Sequence, residues 1–305
     1  MTRAALPLFL LEAAKRDDCP YVLTADLAIP LGLVDFASRR PDRFLDVGIA
    51  EQCLVAVAAG MSSGGTPAIA TTFASFAMRA FEAFRNLAVY DDLHVVVVGA
   101  NAGIATGPNG PTHHATEDLA VFSAIDGVTC FSPRCVDEAL ACLMFAVSTH
   151  GQYYIRLARW EPARVVESAA GMEASMGAPW YVSYPADVSL PQVVLFSHGV
   201  TWNIVCNVVD RLHRTGVTAQ AIHIGRFPLT SLPTVTPSTR LVVTVEDHNS
   251  RCGLGGLVAA AMSGVTQSLQ IGAPWPLGSD DAEVLYERAG LTSDQVFQRV
   301  RTLLT

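Results

Sequence analysis

Glu51 heads the run Glu51-Gln52-Cys53-Leu54-Val55-Ala56-Val57-Ala58-Ala59-Gly60-Met61, one carboxylate in front of an almost wholly apolar stretch. Cys53, Val57 and Met61 recur at helical spacing and their neighbours are Ala or Val, so the pattern predicts a helix buried on most sides, with Glu51 buried in it. A carboxylate removed from water must pair with a cation or keep its proton. A carboxyl that can share a proton suits acid–base chemistry; a first-turn glutamate that complements the helix dipole is the plainer alternative.

Other residues carry chemistry at similar positions. His113 ends the Gly/Pro-rich run Gly107-Pro108-Asn109-Gly110-Pro111-Thr112, and a histidine on a stiff loop is an acid/base candidate; His114 beside it reads as a solvated loop residue. Asp26 follows the strand-like Tyr21–Ala25 and on its own reads as an Asx-type cap. Phe73 and Phe76 fall on one side of a turn, either as core or as an apolar wall for a flat heterocycle. Arg3 and Arg159 are either surface residues or guanidinium forks for an anion.

Composition removes several classes. Lys15 is the single lysine, which excludes a Schiff-base enzyme, a P-loop NTPase and a chain bearing its own lipoyl-lysine. The seven cysteines, at positions 19, 53, 130, 135, 142, 206 and 252, form no CxxC pair and read as reduced core residues, with neither disulfides nor a zinc site. A net charge of −8 without a basic cluster argues against nucleic acid and anionic membranes. No apolar run approaches the ~18 residues of a membrane span, and Met1-Thr2-Arg3-Ala4 opens no signal or transit peptide, so the cytoplasm is the expected compartment.

The elements that must position these residues alternate. Thr2 is expected to cap a helix through Leu6, Leu10, Leu11 and Ala14. Strands are predicted at 21–25, 67–72, 94–99, 129–131 and 153–157, with helices after Glu51, through Phe76, Ala80, Phe84 and Leu87, near 116–122 and over 136–147. Short apolar strands separated by helices predict an α/β, doubly wound, mainly parallel sheet over 1–160, with ligands at the carboxyl ends of its strands. Residues 161–186, with Pro162, Gly171, Gly177, Pro179 and Pro185, read as a linker. A smaller α/β domain over 187–305 follows, with strands at 193–197, 219–224 and 241–245 and helices at 201–214, 255–262 and 293–304, the last capped by Ser293.

Gly48-Ile49-Ala50-Glu51-Gln52 resembles the cofactor-activating segment of the transketolase family, thiamine-diphosphate enzymes that include deoxyxylulose-phosphate synthase and the beta subunits of 2-oxoacid dehydrogenases. The resemblance implies that Glu51 bonds N1′ of the aminopyrimidine and drives formation of the thiazolium ylid, which adds to a ketose and yields a two-carbon carbanion-enamine for an acceptor. Thr24-Ala25-Asp26-Leu27 is similar to the family's strand-end motif, whose aspartate reaches cofactor across a subunit interface, and Thr72-Phe73-Ala74-Ser75-Phe76 to the segment packed on the pyrimidine. The resemblance thus implies that Asp26, Ile49, Glu51, Phe73 and Phe76 contact cofactor and that His113 lies beside the thiazolium. Arg3, Asn101, Asn109, His113 and Arg159 match substrate-contacting positions. Asn101 and Asn109 stand where histidine and aspartate are usual, and Pro30 replaces a phosphate-binding serine, so the donor or acceptor can differ from a sugar phosphate and extend to a carrier-bound group. Val245-Glu246-Asp247-His248 with Gly253-Leu254-Gly255-Gly256 resembles the family's C-terminal domain, in which Glu246 and His248 are structural and the module mainly builds dimers.

The resemblance omits one part. No Gly-Asp-Gly with a downstream Asn, the motif that holds Mg²⁺ or Ca²⁺ and the diphosphate, occurs in the chain. The resemblance therefore implies a split enzyme, EC 2.2.1.-, in which a separate subunit brings thiamine diphosphate's charged half; the chain opens at a domain start, so a dedicated subunit is expected in preference to a truncation, and the expected assembly is α2β2. A 2-oxoacid dehydrogenase E1 beta subunit, a deoxyxylulose-phosphate-type synthase and a non-catalytic regulatory subunit are the alternatives.

Overall fold

Runs of β-branched residues form the centres of two parallel sheets, Val95-Val96-Val97-Val98 in one and Leu241-Val242-Val243-Thr244-Val245 in the other. The computed structural model describes residues 1–160, 180–229, 231–233, 235–262 and 267–305. Its strands are β1 Tyr21–Thr24, β2 Phe44–Asp46, β3 Ala68–Phe73, β4 Val95–Ala100, β5 Val128–Phe131 and β6 Gln152–Leu157. They continue with β7 Tyr181–Tyr184, β8 Val193–Ser197, β9 Ala219–Ile224, β10 Arg226–Phe227, β11 Leu241–Glu246 and β12 Gln267–Gly272. The first sheet runs β10-β5-β6-β4-β3-β1-β2 and the second β12-β11-β8-β9-β7, parallel throughout except for the edge strands β10 and β7.

Register sets the site. Thr24 pairs with Thr71, Phe73 with Ala100 and Ala100 with Leu157, so β1, β3, β4 and β6 end together. The residues that follow them, Asp26, Asn101 and Arg159, therefore leave the sheet along one edge, where a parallel sheet places its ligands. Glu51–Ser62 and Val136–Ser148 cover the sheet, with Leu54, Val55, Ala58 and Ala59 inward from the first of these helices and Ala139, Cys142, Leu143 and Ala146 from the second.

Several expected elements differ. The stripe Cys53, Val57 and Met61 is the outer one, with Cys53 exposed; Ala and Val on every side left residue type unable to select the buried face. Cys252 is exposed as well, so two of the seven thiols lie outside the core. The helix expected through Phe76 to Leu87 is broken into Ala74–Ala77, a 3₁₀ turn Met78–Ala80, Phe81–Ala83 and a π turn Phe84–Val89. Thr2 caps no helix: it lies in a 3₁₀ turn, and its Oγ1 accepts from Ala158 N at 2.7 Å. The cap of Ser293–Leu304 is Thr292, in a capping box with Gln295, and Ser293 is already helical. Of the expected linker 161–186, residues 161–179 lie outside the described residues, and Tyr181–Tyr184 forms β7 against β9.

A buried polar network ties the two sheets. Arg156 on β6 donates from Nη1 to Asp247 Oδ1 at 2.9 Å and from Nε to Asp118 Oδ2 at 3.1 Å; Tyr154 OH donates to Asp118 at 2.7 Å and Tyr286 OH to Asp247 at 2.9 Å. Burial alone would lower the Arg156 pKa, but Asp118 and Asp247 outweigh it and raise it. Gly103 is required here, since at φ +72° a Cβ would sit 2.0 Å from Asp247 Oδ2.

Candidate active site

The turn before Glu51 is built by Asp46. Its Oδ1 accepts from Asp26 N at 2.8 Å and from Gly48 N at 2.9 Å, tying the exits of β1 and β2 to the head of the Glu51–Ser62 helix. Glu51 is 4 % exposed, and Arg79 Nε lies 3.7 Å from its Oε2, so the carboxylate pairs with a cation. Ile49, two residues earlier, is 75 % exposed at the mouth of this turn. Asp26 adopts φ 59° with an exposed side chain, and no Asx-type cap forms among the described residues.

Across the strand ends an aromatic group assembles. Phe73 closes β3, and its ring centroid lies 5.6 Å from that of Phe76 and 6.1 Å from that of His113. Phe76 meets the His113 ring edge-on at 5.1 Å. His113 Nδ1 is 3.0 Å from Thr112 Oγ1. Two short 3₁₀ turns, Gly107–Asn109 and Pro111–His113, stiffen the loop, and the reciprocal backbone bonds of Gly103 and Ala115, both 3.0 Å, close its base. His114 is not solvated as expected but 3 % exposed, with neither ring nitrogen bonded among the described residues. Burial, with His113 beside it, pushes its pKa down. The backbone turns His114 inward after Pro111, which residue type in a Gly/Pro loop does not reveal.

A second group forms at the ends of β4 and β6. Arg3 N donates to Ala158 O at 3.0 Å, and Arg3 Nη1 donates to Asn101 Oδ1 at 2.9 Å, so the amino terminus is laid beside both strand ends. Arg3's pKa is lowered by burial and then by the nearby Arg159 guanidinium. Asn101 is buried in the left-handed region at φ 56°, and its Nδ2 has no partner among the described residues. Asn109 is exposed on the His113 loop, and Pro30 is exposed in the turn after β1. Three contributors were not read from the sequence as site residues: Thr2, Asp46 and Arg79 act through backbone bonds or one long-range charge contact, and only Asp46, two residues before Gly48, had turn chemistry to read.

A buried carboxylate on the same strand-end edge as an aromatic wall fits the pyrimidine half of thiamine diphosphate: one group to bond a ring nitrogen, the other to pack on a flat ring. Thr72 Oγ1, Ser75 Oγ, Thr106 Oγ1 and Asn101 Nδ2 are further buried polar atoms without partners among the described residues, on or beside these strand ends. For the charged half the chain offers less. Among the described residues no three His, Cys, Asp or Glu side chains are placed to hold a metal ion. Nor is any described helix long and apolar enough to cross a membrane.

Residues 1–162 match the transketolase pyrimidine-binding domain and residues 185–296 the transketolase C-terminal domain. A Methanocaldococcus jannaschii protein provisionally named a transketolase C-terminal section is 28 % identical over 296 residues, 95 % of this chain and 92 % of that one. An uncharacterised transketolase family protein of Sinorhizobium fredii is 32 % identical over 301 residues, 95 % of this chain and 85 % of its own length. The 1-deoxy-D-xylulose-5-phosphate synthase of Pseudarthrobacter chlorophenolicus is 29 % identical over 90 % of this chain, which spans 42 % of that enzyme. Among solved structures, a split gene transketolase described as an inactive beta4 tetramer superposes with a TM-score of 0.80 at 29 % identity, over 99 % of this chain and 98 % of that one. Fold and sequence agree, and the chain belongs to the transketolase family, as its C-terminal section.

Proposed function

We propose that the chain is the beta-type subunit of a split, thiamine-diphosphate-dependent enzyme that transfers a two-carbon ketol unit from a ketose or ketose phosphate to an aldose or a carrier-bound acceptor. The observation that carries this reading is Glu51, buried at a helix head on the strand-end edge where Phe73, Phe76 and His113 form an aromatic wall. Ile49, Glu51, Phe73 and Phe76 hold the pyrimidine, Asp26 reaches cofactor across a subunit interface, and a partner subunit holds the diphosphate with Mg²⁺ or Ca²⁺, in an α2β2 assembly. When bound, thiamine diphosphate supplies an acidic ring carbon whose conjugate base is the nucleophile toward the ketose carbonyl. Glu51 holds the proton at the pyrimidine nitrogen, and His113 moves a proton at, or orients, the substrate oxygen. Arg3, Asn101, Asn109 and Arg159 hold the sugar; two guanidinium groups near one strand end suit an anionic substituent. We place the assembly in the cytoplasm, where seven free thiols stay reduced.

A deoxyxylulose-phosphate-type synthase is the second reading, favoured by the relatives that carry that name. The beta4 relative is described as inactive, which is consistent with a beta chain that needs a partner.

The test is titration of thiamine diphosphate and Mg²⁺ into the chain alone and into the chain co-purified with a diphosphate-domain subunit. Binding by the pair only, followed by product from a ketose phosphate and not from pyruvate, is the expected result. Tight binding by the chain alone would remove the split site, and binding by neither would leave a non-catalytic subunit.

A further inference from the structure

The C-terminal unit reaches the His113 loop at both ends. At the base, Asn249 N donates to Thr116 O at 2.7 Å, and Asp247 fills the space beside Gly103. At the tip, Trp275 Nε1 donates to Pro111 O at 3.2 Å and Ser279 Oγ to Pro108 O at 2.6 Å, across more than 160 residues of sequence. The backbones come as close as the side chains. Gly107, at φ +61°, would place a Cβ 3.1 Å from Asp280 O, and Gly110, at φ +78°, would place one 3.4 Å from Ser279 Cβ.

Trp275 is 57 % exposed, so its ring is not there to fill a core. Its polar contact is the bond to the carbonyl two residues before His113. The segment that carries Trp275 and Ser279 is itself held at both ends: Ala273 N donates to His248 O at 2.9 Å, and the helix Ala282–Arg288 that follows sends Tyr286 OH to Asp247 and Arg288 to Asp280. A braced strap therefore lies over the 3₁₀ turns of the loop.

We infer that Trp275 and Ser279 are positioning residues that clasp the Pro108–Pro111 backbone and so set the place of His113, which gives the C-terminal unit a part in the chemistry beyond subunit assembly. The inference rests on the role proposed above for His113.

The test uses the full chain with Trp275→Phe, which keeps the ring and lacks the N–H, combined with Ser279→Ala. Amide hydrogen exchange over residues 107–115 is expected to accelerate about tenfold, with β8 and β11 unchanged. Ser279→Thr, which keeps the hydroxyl, should restore slow exchange at the Pro108 side. In the reconstituted pair the double variant should lose about tenfold in kcat while the KM for thiamine diphosphate stays constant. Unchanged exchange over 107–115 overturns the clasp whatever the activity does, and acceleration that spreads equally through β8 and β11 overturns it in favour of plain loss of stability. A wild-type pair inactive on every ketose would defeat the proposed function, and the exchange result would still decide the clasp.

Discussion

Glu51 and Arg79 make an unequal pair. The carboxylate is buried at a helix head, while the arginine side chain is 70 % exposed and 3.7 Å away, longer than a hydrogen bond. An ion pair with one end in water contributes little, on the order of 0–1 kcal/mol, because solvent screens it and the long side chain loses freedom in making it. The carboxylate therefore gains little from Arg79, and in the proposed mechanism it matters for what it does with a proton. Glu51→Gln removes that function while keeping size and one acceptor, and should cut turnover of the reconstituted pair by roughly 10²–10⁴-fold, the range of a lost acid–base group. Arg79→Gln should change turnover by less than about threefold. Both are read by steady-state kinetics, with co-purification confirming assembly; unchanged turnover in Glu51→Gln would remove the mechanism.

The termini of elements show what propensity decides and what it does not. Thr292 and Ser293 are both good capping residues, and the capping box with Gln295, three positions after Thr292, selects the former. Thr292→Ala should cost about 1 kcal/mol, a loss visible in denaturant unfolding, whereas Ser293→Ala should be within ~0.5 kcal/mol of wild type. The central strands β4, β8 and β11 were legible because β-branched runs buried on both faces carry their own signal. Strands β2, β7, β10 and β12 were not. The two-residue β10 and the partly exposed Gln267-Ser268-Leu269-Gln270-Ile271-Gly272 of β12 are strands because a neighbouring edge pairs them. The site followed the same division. Phe73, Phe76 and His113 come together from motifs that could be read, but the Arg3–Asn101 bond depends on where the amino terminus is laid, which no local pattern encodes.

The polar network between the two sheets makes the whole molecule sensitive to pH in both directions. Burial pushes Glu246 up to about 8 from an ordinary 4.5, although the N–H groups of Gly255 and Leu254, 2.7 and 2.8 Å from its oxygens, pull the other way. Between those values the folded chain holds a proton that the unfolded chain has released, so stability falls as pH rises toward 8. His198, His223 and His248 are buried and pushed down from 6.5, chiefly by desolvation. Below 6.5 the unfolded chain binds protons that the folded chain refuses, so their contribution is lost as pH falls. With His94 and His114, likewise pushed down by burial, five histidines outweigh one glutamate on the acid side, and the glutamate dominates above about pH 7; the thiols of Cys130 and Cys142, raised from 9.0, act only at higher pH. Stability should therefore peak near pH 7 and fall by under about 1 kcal/mol by pH 8.5, because the last of the histidine titration offsets part of the glutamate's one proton. Glu246→Gln keeps an acceptor for one of the two N–H groups and cannot ionise, so it should flatten the alkaline decline and steepen the acid limb above pH 4.5, where the glutamate no longer opposes the histidines. Urea unfolding of both proteins from pH 5 to 8.5 checks this, and an alkaline limb that survives in Glu246→Gln would mean that another group on the Arg156 network carries the proton.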